Sequence, residues 1–299
     1  MTPPPADGRD SGTPAARESV RLGEVPETLL WTLHQRATEA RRPDAVIRDP
    51  VAVALVDRID FPFADRFGAG GLGQWQALRA RAFDGEVRRF LAASPGGTVV
   101  ALGEGLETGF WRVDDGTVQW VGVDLPEAID LRRRLLPASD RRREVACSAT
   151  DPRWMDEVDT ARPVLITAQG LLMYLEPEDV HGLLVAAARR FPDAPLVFDA
   201  VPRWLAERTR RGDVVTREGY RPPPWRWALD AAEERRLRER LAGLRAVPPP
   251  HGRGMVHGAL LPLVARVPPL RRLTLSVLRG RLRPSTRTVS AREAAIADA

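Results

Sequence analysis

Thr98-Val-Val-Ala-Leu-Gly-Glu-Gly-Leu-Glu-Thr-Gly-Phe-Trp-Arg112, followed by Val118-Gln-Trp-Val-Gly-Val-Asp-Leu-Pro-Glu127, is the stretch on which the fold turns. A β-branched apolar run ends in Gly103-x-Gly105, and a second apolar run ends in Asp124. That pattern is the first half of a nucleotide-binding α/β unit. The glycines let backbone approach a ligand closely, and an acid at the next strand end can accept hydrogen bonds from ribose hydroxyls. Thr108 stands where the dinucleotide fingerprint has its third glycine. A pyrophosphate needs that glycine-rich approach to the helix N-terminus, whereas S-adenosylmethionine carries adenine and ribose without phosphate and suits the looser pattern better.

Working outward, strands and helices alternate. Strands are predicted at 98–103, 118–124, 144–148, 163–169 and 195–200, with helices at 127–136 and 177–190 between them. Strands separated by helices imply a parallel sheet covered on both faces, with ligands at the carboxyl ends of the strands. Those ends carry Gly103, Gly105, Asp124, Ser148, Gln169 and Asp199. Upstream, helices are predicted at 26–39, from Asp49-Pro50 onward, and at 74–91, where apolar residues recur at helical spacing. Downstream, a charged helix at 230–244 and further strands at 244–247 and 285–290 are expected, the stretch between those two strands reading as helical insertions. The expected organisation is a disordered tail over 1–24, a helical cap over 25–94 and a Rossmann-like α/β domain over 95–299 with helical insertions in its C-terminal part.

Composition narrows the class. The 299 residues are 43% hydrophobic and 28% charged, ordinary for a globular protein. All 45 basic residues are arginine, spread along the chain, so a net charge of +5 reads as solvated surface and not as a nucleic-acid footprint. The one cysteine, Cys147, has no partner for an intrachain disulfide, and no Cys/His group has metal-ligand spacing. The proline-rich start lacks the apolar core of a secretory signal, and arginines and prolines interrupt the apolar region 255–278. A cytoplasmic protein with a small-molecule substrate is expected, binding neither membrane nor nucleic acid.

The run from Leu102 to Arg112, Val123-Asp-Leu-Pro-Glu127 with Arg132-Arg-Arg-Leu-Leu136, and Ala168-Gln-Gly-Leu-Leu-Met-Tyr-Leu175 together resemble the leucine carboxyl methyltransferase family. More narrowly, they resemble its bacterial branch of polyketide-type O-methyltransferases. Arg79-Ala-Arg-Ala-Phe-Asp84 and Asp44-x-x-x-x-Asp49-Pro50 fit the same pattern. The resemblance implies a class I S-adenosylmethionine-dependent methyltransferase, an α/β fold with a doubly wound sheet and an N-terminal helical cap. It implies that an arginine on the helix before the first strand binds the methionine carboxylate; ungapped counting selects Arg79, with Arg81 half a turn away and Arg36 a candidate for a second basic contact. Gly103 and Gly105 would then pass beneath methionine and ribose, and Asp124 would take the ribose hydroxyls or cap the helix at Pro126. Leu125, Ser148 and Ala149 fall near the adenine. Gln169 replaces the family's usual Glu, and Glu107 its commoner Asp.

S-adenosylmethionine would supply its methyl to a carboxyl or phenolic oxygen of a small secondary metabolite, such as an aromatic polyketide. A carboxylate is already ionised at neutral pH; a phenol, with pKa about 10, benefits from a base. His251 and His257 are candidates for that base or ordinary surface residues. Tyr174 either directs its hydroxyl at the substrate oxygen or is a core aromatic. The segment Tyr220-Arg-Pro-Pro-Pro-Trp-Arg-Trp227 reads as a lid with Arg221 or Arg226 near an anionic group, or as a loop anchored by aromatics. Competing classes are a methyltransferase fold kept as a binding module, an NAD-dependent oxidoreductase, and a nucleic-acid methyltransferase, whose Asn/Asp-Pro-Pro-aromatic motif is absent.

Overall fold

The computed structural model describes residues 17–20, 27–260, 263–264, 267 and 273–284. Its centre is a seven-stranded sheet built from β3 (Thr98–Leu102), β4 (Gln119–Asp124), β5 (Arg142–Ala146), β6 (Val164–Ala168), β7 (Pro195–Ala200), β8 (Leu241–Ala246) and β9 (Ser276–Leu282). The spatial order is β5-β4-β3-β6-β7-β9-β8, and β9 alone runs antiparallel to its neighbours. Strand order reverses between β3 and β6, which opens a crevice over their carboxyl ends. Two short strands, β1 (Glu18–Ser19) and β2 (Ile59–Asp60), pair separately.

Every residue of β3 and β6 is buried, as both-faced coverage of a parallel sheet requires. Side chains alternate between two cores. One face turns Val100, Leu102, Val121, Val123, Ile166 and Phe198 toward α7 (Pro177–Arg190) and Trp154. The other turns Val99, Ala101, Trp120, Leu165 and Val197 toward Phe83, Val87 and Leu91 of α4 (Gly73–Ala93) and Phe110 and Val113 of α5 (Gly109–Val113). A third cluster joins α1 (Thr28–Ala40), α2 (Pro50–Arg58) and α3 (Phe63–Phe67) to Leu131 and Leu135 of α6 (Pro126–Leu135). The second half of α4 therefore lies on the sheet while its first half faces α1 and the crevice.

Three readings of the sequence are corrected in detail. Strand β5 starts at Arg142 and ends at Ala146, two residues earlier than expected, because backbone pairing with Trp120 sets its start and Arg142 stacks on Trp111 at 4.3 Å. Helix α9 (Ala231–Arg240) ends early and gives way to β8 at Leu241. Strand β9 falls where helical insertions were expected: Leu278, Gly280 and Leu282 are buried with Arg279 and Arg281 between them, the period-2 signature of a strand. The strand expected at 285–290 lies outside the described residues. Between β7 and α9 the structure also contains α8 (Arg203–Arg210).

Candidate active site

A cavity of about 990 Å³ opens over the carboxyl ends of β3, β4, β5 and β6, roofed by α1, α4 and the 201–225 segment. Its floor is the Gly103–Gly105 turn. Gly103 has φ +63° and Gly105 φ +51°. A Cβ on Gly105 would sit 2.3 Å from Leu29 Cδ2, and one on Gly103 would sit 2.9 Å from Leu171 Cδ1. Both glycines are thus favoured by their left-handed conformation, and Gly103 is crowded by the Leu171 side chain as well.

Asp124 Oδ2 accepts from the Gly105 amide at 2.6 Å, and Oδ1 from the Leu125 amide at 2.7 Å. Helix α6 takes Leu125 as its N-cap without any side-chain cap bond, so Asp124 is no helix cap. Burial raises the pKa of its carboxyl against the pull of the two amides. From below, the fully buried Arg132 donates to the carbonyls of Gly105 and Glu107 and pairs with Glu104 at 2.8 Å, which holds the turn in shape. Thr108, in place of the third glycine, ties the turn to α2: it is completely buried, and its hydroxyl donates to Asp49 at 2.7 Å.

That Asp49 is the hub of a charge cluster beneath the cavity. It caps α2 through the Ala52 amide and pairs with Arg36 at 3.3 Å and Arg112 at 2.8 Å. Arg112 also holds Asp84 at 2.8 Å and Glu107 at 2.7 Å. Burial works to raise the Glu107 carboxyl, but the Arg36 and Arg112 guanidiniums outweigh it and bring its pKa to about 2. Asp84, on the far side of the cluster, is pushed up by burial.

Of the residues singled out in the sequence, Arg79, Gly103, Gly105, Asp124, Leu125, Ser148, Ala149, Gln169 and Tyr174 all line the one cavity, and so does Arg36. Arg79 donates to Asp199 at 2.8 Å and lies over the Trp75 ring at 5.4 Å; its buried Nε has no partner. Arg81 stands apart. Two helix positions turn it about 200° away from Arg79, and it points to the His251 carbonyl outside the cavity. Arg221 and Arg226 are also elsewhere, bound to the Gly212 carbonyl and to Glu176. The loop that carries them divides its aromatics: Tyr220 and Trp225 line the cavity, while Trp227 is a core residue donating to Glu233.

Trp31, Phe67 and Trp75 line the cavity unannounced by any motif. Trp75 had one signal: it lies four residues before Arg79 and so shares its helix face. The hydroxyl of Tyr220 meets Thr28 Oγ1 at 3.1 Å, and that of Tyr174 lies beside Thr28 and Trp225. Burial raises the pKa of both phenols, that of Tyr220 to about 12. His257 reaches the cavity, but its Nδ1 faces Gln74 Nε2 at 3.0 Å, while Gln74 Oε1 accepts from the Arg253 amide. The amide orientation makes His257 Nδ1 the accepting nitrogen and places the ring proton on Nε2.

A turn of two left-handed glycines, a carboxylate on the neighbouring strand and the 3-2-1-4-5-7-6 succession of the sheet strands with one antiparallel member define a class I S-adenosylmethionine-dependent methyltransferase. The comparisons carry this to the family. The family model described as leucine carboxyl methyltransferase matches residues 30–188, and the chain belongs to that family. It is 36% identical over 229 residues to the tetracenomycin polyketide synthesis O-methyltransferase TcmP of Streptomyces glaucescens, covering 76% of this chain and 83% of that one. A second relative, the S-adenosyl-L-methionine-dependent methyltransferase dpfgK of Gibberella zeae, is 31% identical over 201 residues, 62% of this chain and 67% of that one. A crystal structure of a DUF574 family protein from Streptomyces avermitilis shares the fold, with a TM-score of 0.53, 16% identity, and coverage of 84% of this chain and 97% of that chain.

The cofactor is S-adenosylmethionine, which sets aside the NAD-dependent reading. The residues present fit it. Two left-handed glycines bring bare backbone to the cavity floor, Asp124 keeps lone pairs for a diol, and the unpartnered Arg79 Nε can donate to a carboxylate. Among the described residues, no helix is long and apolar enough to cross a membrane.

Proposed function

We propose that the chain methylates a carboxylate oxygen of a small, planar, largely apolar metabolite, with an aromatic polyketide acid as the substrate class. One observation carries this reading. The side of the cavity facing the cap presents Trp31, Trp75, Tyr174, Tyr220 and Trp225 with hydroxyl and indole N–H donors, and among the described residues it offers no free base. His257 uses Nδ1 as an acceptor for Gln74, which leaves its other ring nitrogen as an N–H donor and not a base. Of the lining carboxylates, Glu104 and Glu107 are held by arginines and Asp124 by amides, while Glu127 and Glu218 are solvent-exposed acids, too weak as bases for a phenol of pKa about 10. A carboxylate needs no proton removed, whereas a phenol would. The relative TcmP, an O-methyltransferase of polyketide synthesis, supports the same substrate class.

When bound, S-adenosylmethionine supplies an electrophilic methyl group on a sulfonium. In this reading Arg79 takes its methionine carboxylate, Gly103 and Gly105 let it lie close to the floor, and Asp124 takes the ribose hydroxyls. Leu125, Ser148 and Ala149 border the adenine, with the Ser148 hydroxyl already engaged to Thr150 at 2.8 Å, so recognition there falls to shape and backbone groups. Tyr174, kept neutral by burial, donates to one oxygen of the substrate carboxylate and leaves the other to form the new bond. The aromatic walls align the reactants and exclude water, and such alignment can supply up to ~7–11 kcal/mol of the barrier.

The test is incubation with methyl-labelled cofactor and matched pairs of aromatic carboxylic acids and phenols. Label should enter products that release methanol in alkali, as esters do. Alkali-stable ethers as the sole products would overturn the carboxylate assignment.

A further inference from the structure

Two residues that line the cavity, Glu107 and Gln169, touch one another. They come from separate elements, the turn after β3 and the end of β6. Gln169 Nε2 donates to Glu107 Oε2 at 2.8 Å. The same oxygen takes Arg36 Nη1 at 3.0 Å, while Oε1 takes Arg112 Nη1 at 2.7 Å and the Thr108 amide at 3.0 Å. With the amide reversed, its oxygen would face a carboxylate, acceptor against acceptor, so the orientation is determined by chemistry. Gln169 Oε1 is then the atom left to meet a bound molecule.

We propose that Glu107 and Gln169 form one unit, in which Glu107 is a positioning residue that acts through Gln169 to hold the ammonium group at the methionine end of the cofactor. Glu107 is held by the Arg36 and Arg112 guanidiniums, and by accepting from Gln169 Nε2 it leaves the amide oxygen as the hydrogen-bond acceptor offered to the cavity. A longer acid at 107 reaches the amide at 169, and an acid at 169 as well would set two carboxylates in contact. This inference rests on the placement of the methionine end at Arg79 given above.

Two ligands separate it from a structural role: S-adenosylhomocysteine, and 5′-methylthioadenosine, which lacks the amino-acid end. Calorimetric affinities for both are measured with the wild type, Gln169→Met, Gln169→Glu, Glu107→Asp and the double variant. Gln169→Met should weaken S-adenosylhomocysteine ~10- to 30-fold and leave 5′-methylthioadenosine within about twofold. Gln169→Glu and Glu107→Asp should each weaken S-adenosylhomocysteine, and the double variant should bind it more tightly than either. Parallel loss for both ligands, no loss for either, or losses that simply multiply in the double variant would overturn the proposal. Arg79→Ala serves as the control. If it discriminates between the ligands and Gln169→Met does not, only this inference falls; if it does not discriminate, the placement of the methionine end falls too.

Discussion

Arg79 shows how much of a side chain's role is settled by its second partner. Its guanidinium is anchored on Asp199, which also accepts from the Gly170 amide at 2.7 Å, so one buried carboxylate joins helix α4 to the end of β6. Arg79→Ala should weaken S-adenosylhomocysteine by one to two orders of magnitude, about 2–3 kcal/mol, because a charge-assisted bond is lost and Asp199 is left buried and unpaired. Arg81→Ala, on the opposite helix face, should change the affinity less than twofold in the same calorimetric titration. Asp124→Ala acts at the other end of the nucleoside. It should weaken S-adenosylhomocysteine and 5′-methylthioadenosine alike by about tenfold, since both carry the ribose and both lose the same acceptor. Equal affinities for wild type and variant would remove the ribose role.

Elements are joined across the floor of the site by a few buried charges. Asp49 is 1% exposed, caps α2, and serves Arg36 on α1, Arg112 on α5 and Thr108 in the nucleotide turn. Removing one partner of a buried ion pair is far costlier than removing both, because a desolvated charge remains. Asp49→Ala should therefore destabilise the fold by about 3–5 kcal/mol, read as a shift of the urea midpoint. Asp49→Asn keeps a cap oxygen and should cost less. The Asp-Pro pair was legible as a helix start, and the structure bears that out at Asp49 and Pro50. Its pairing with Thr108 was not, since 59 residues separate the two positions and neither carries a periodic signal.

Across the whole molecule these charges set a pH dependence. The Glu107 carboxyl sits at about 2 in the fold against an ordinary 4.5. A depressed acid contributes stability that is full above its unfolded pKa and is lost as pH falls through the folded one. Its contribution is about 3 kcal/mol at neutral pH and declines between pH ~4.5 and ~2. Asp84 and Glu104, raised by burial, act in the opposite sense over the acid range, so the total curve mixes both. The difference between wild type and Glu107→Gln isolates the term: the stability gap measured by denaturant unfolding should narrow as pH falls from about 5 toward 2. A gap that stays constant over that range would show that the charge of Glu107 is not what the arginines hold.

The sequence by itself determined the order of strands and helices from 98 to 200, the glycine turn, the acid on the next strand and the cofactor they suit. Each of those is written in neighbouring residues, through apolar periodicity, glycine spacing and strand-end position. Only the tertiary structure decided which of Arg79 and Arg81 faces the crevice, that Tyr220 and Trp225 line it while Trp227 is core, and that Glu107 meets Gln169. Those outcomes depend on the rotation of a helix, the path of a proline-rich segment and contacts between residues as far apart as Thr28 and Tyr220, 192 positions. Local sequence has no term for such distances, because they are the result of burying three cores at once.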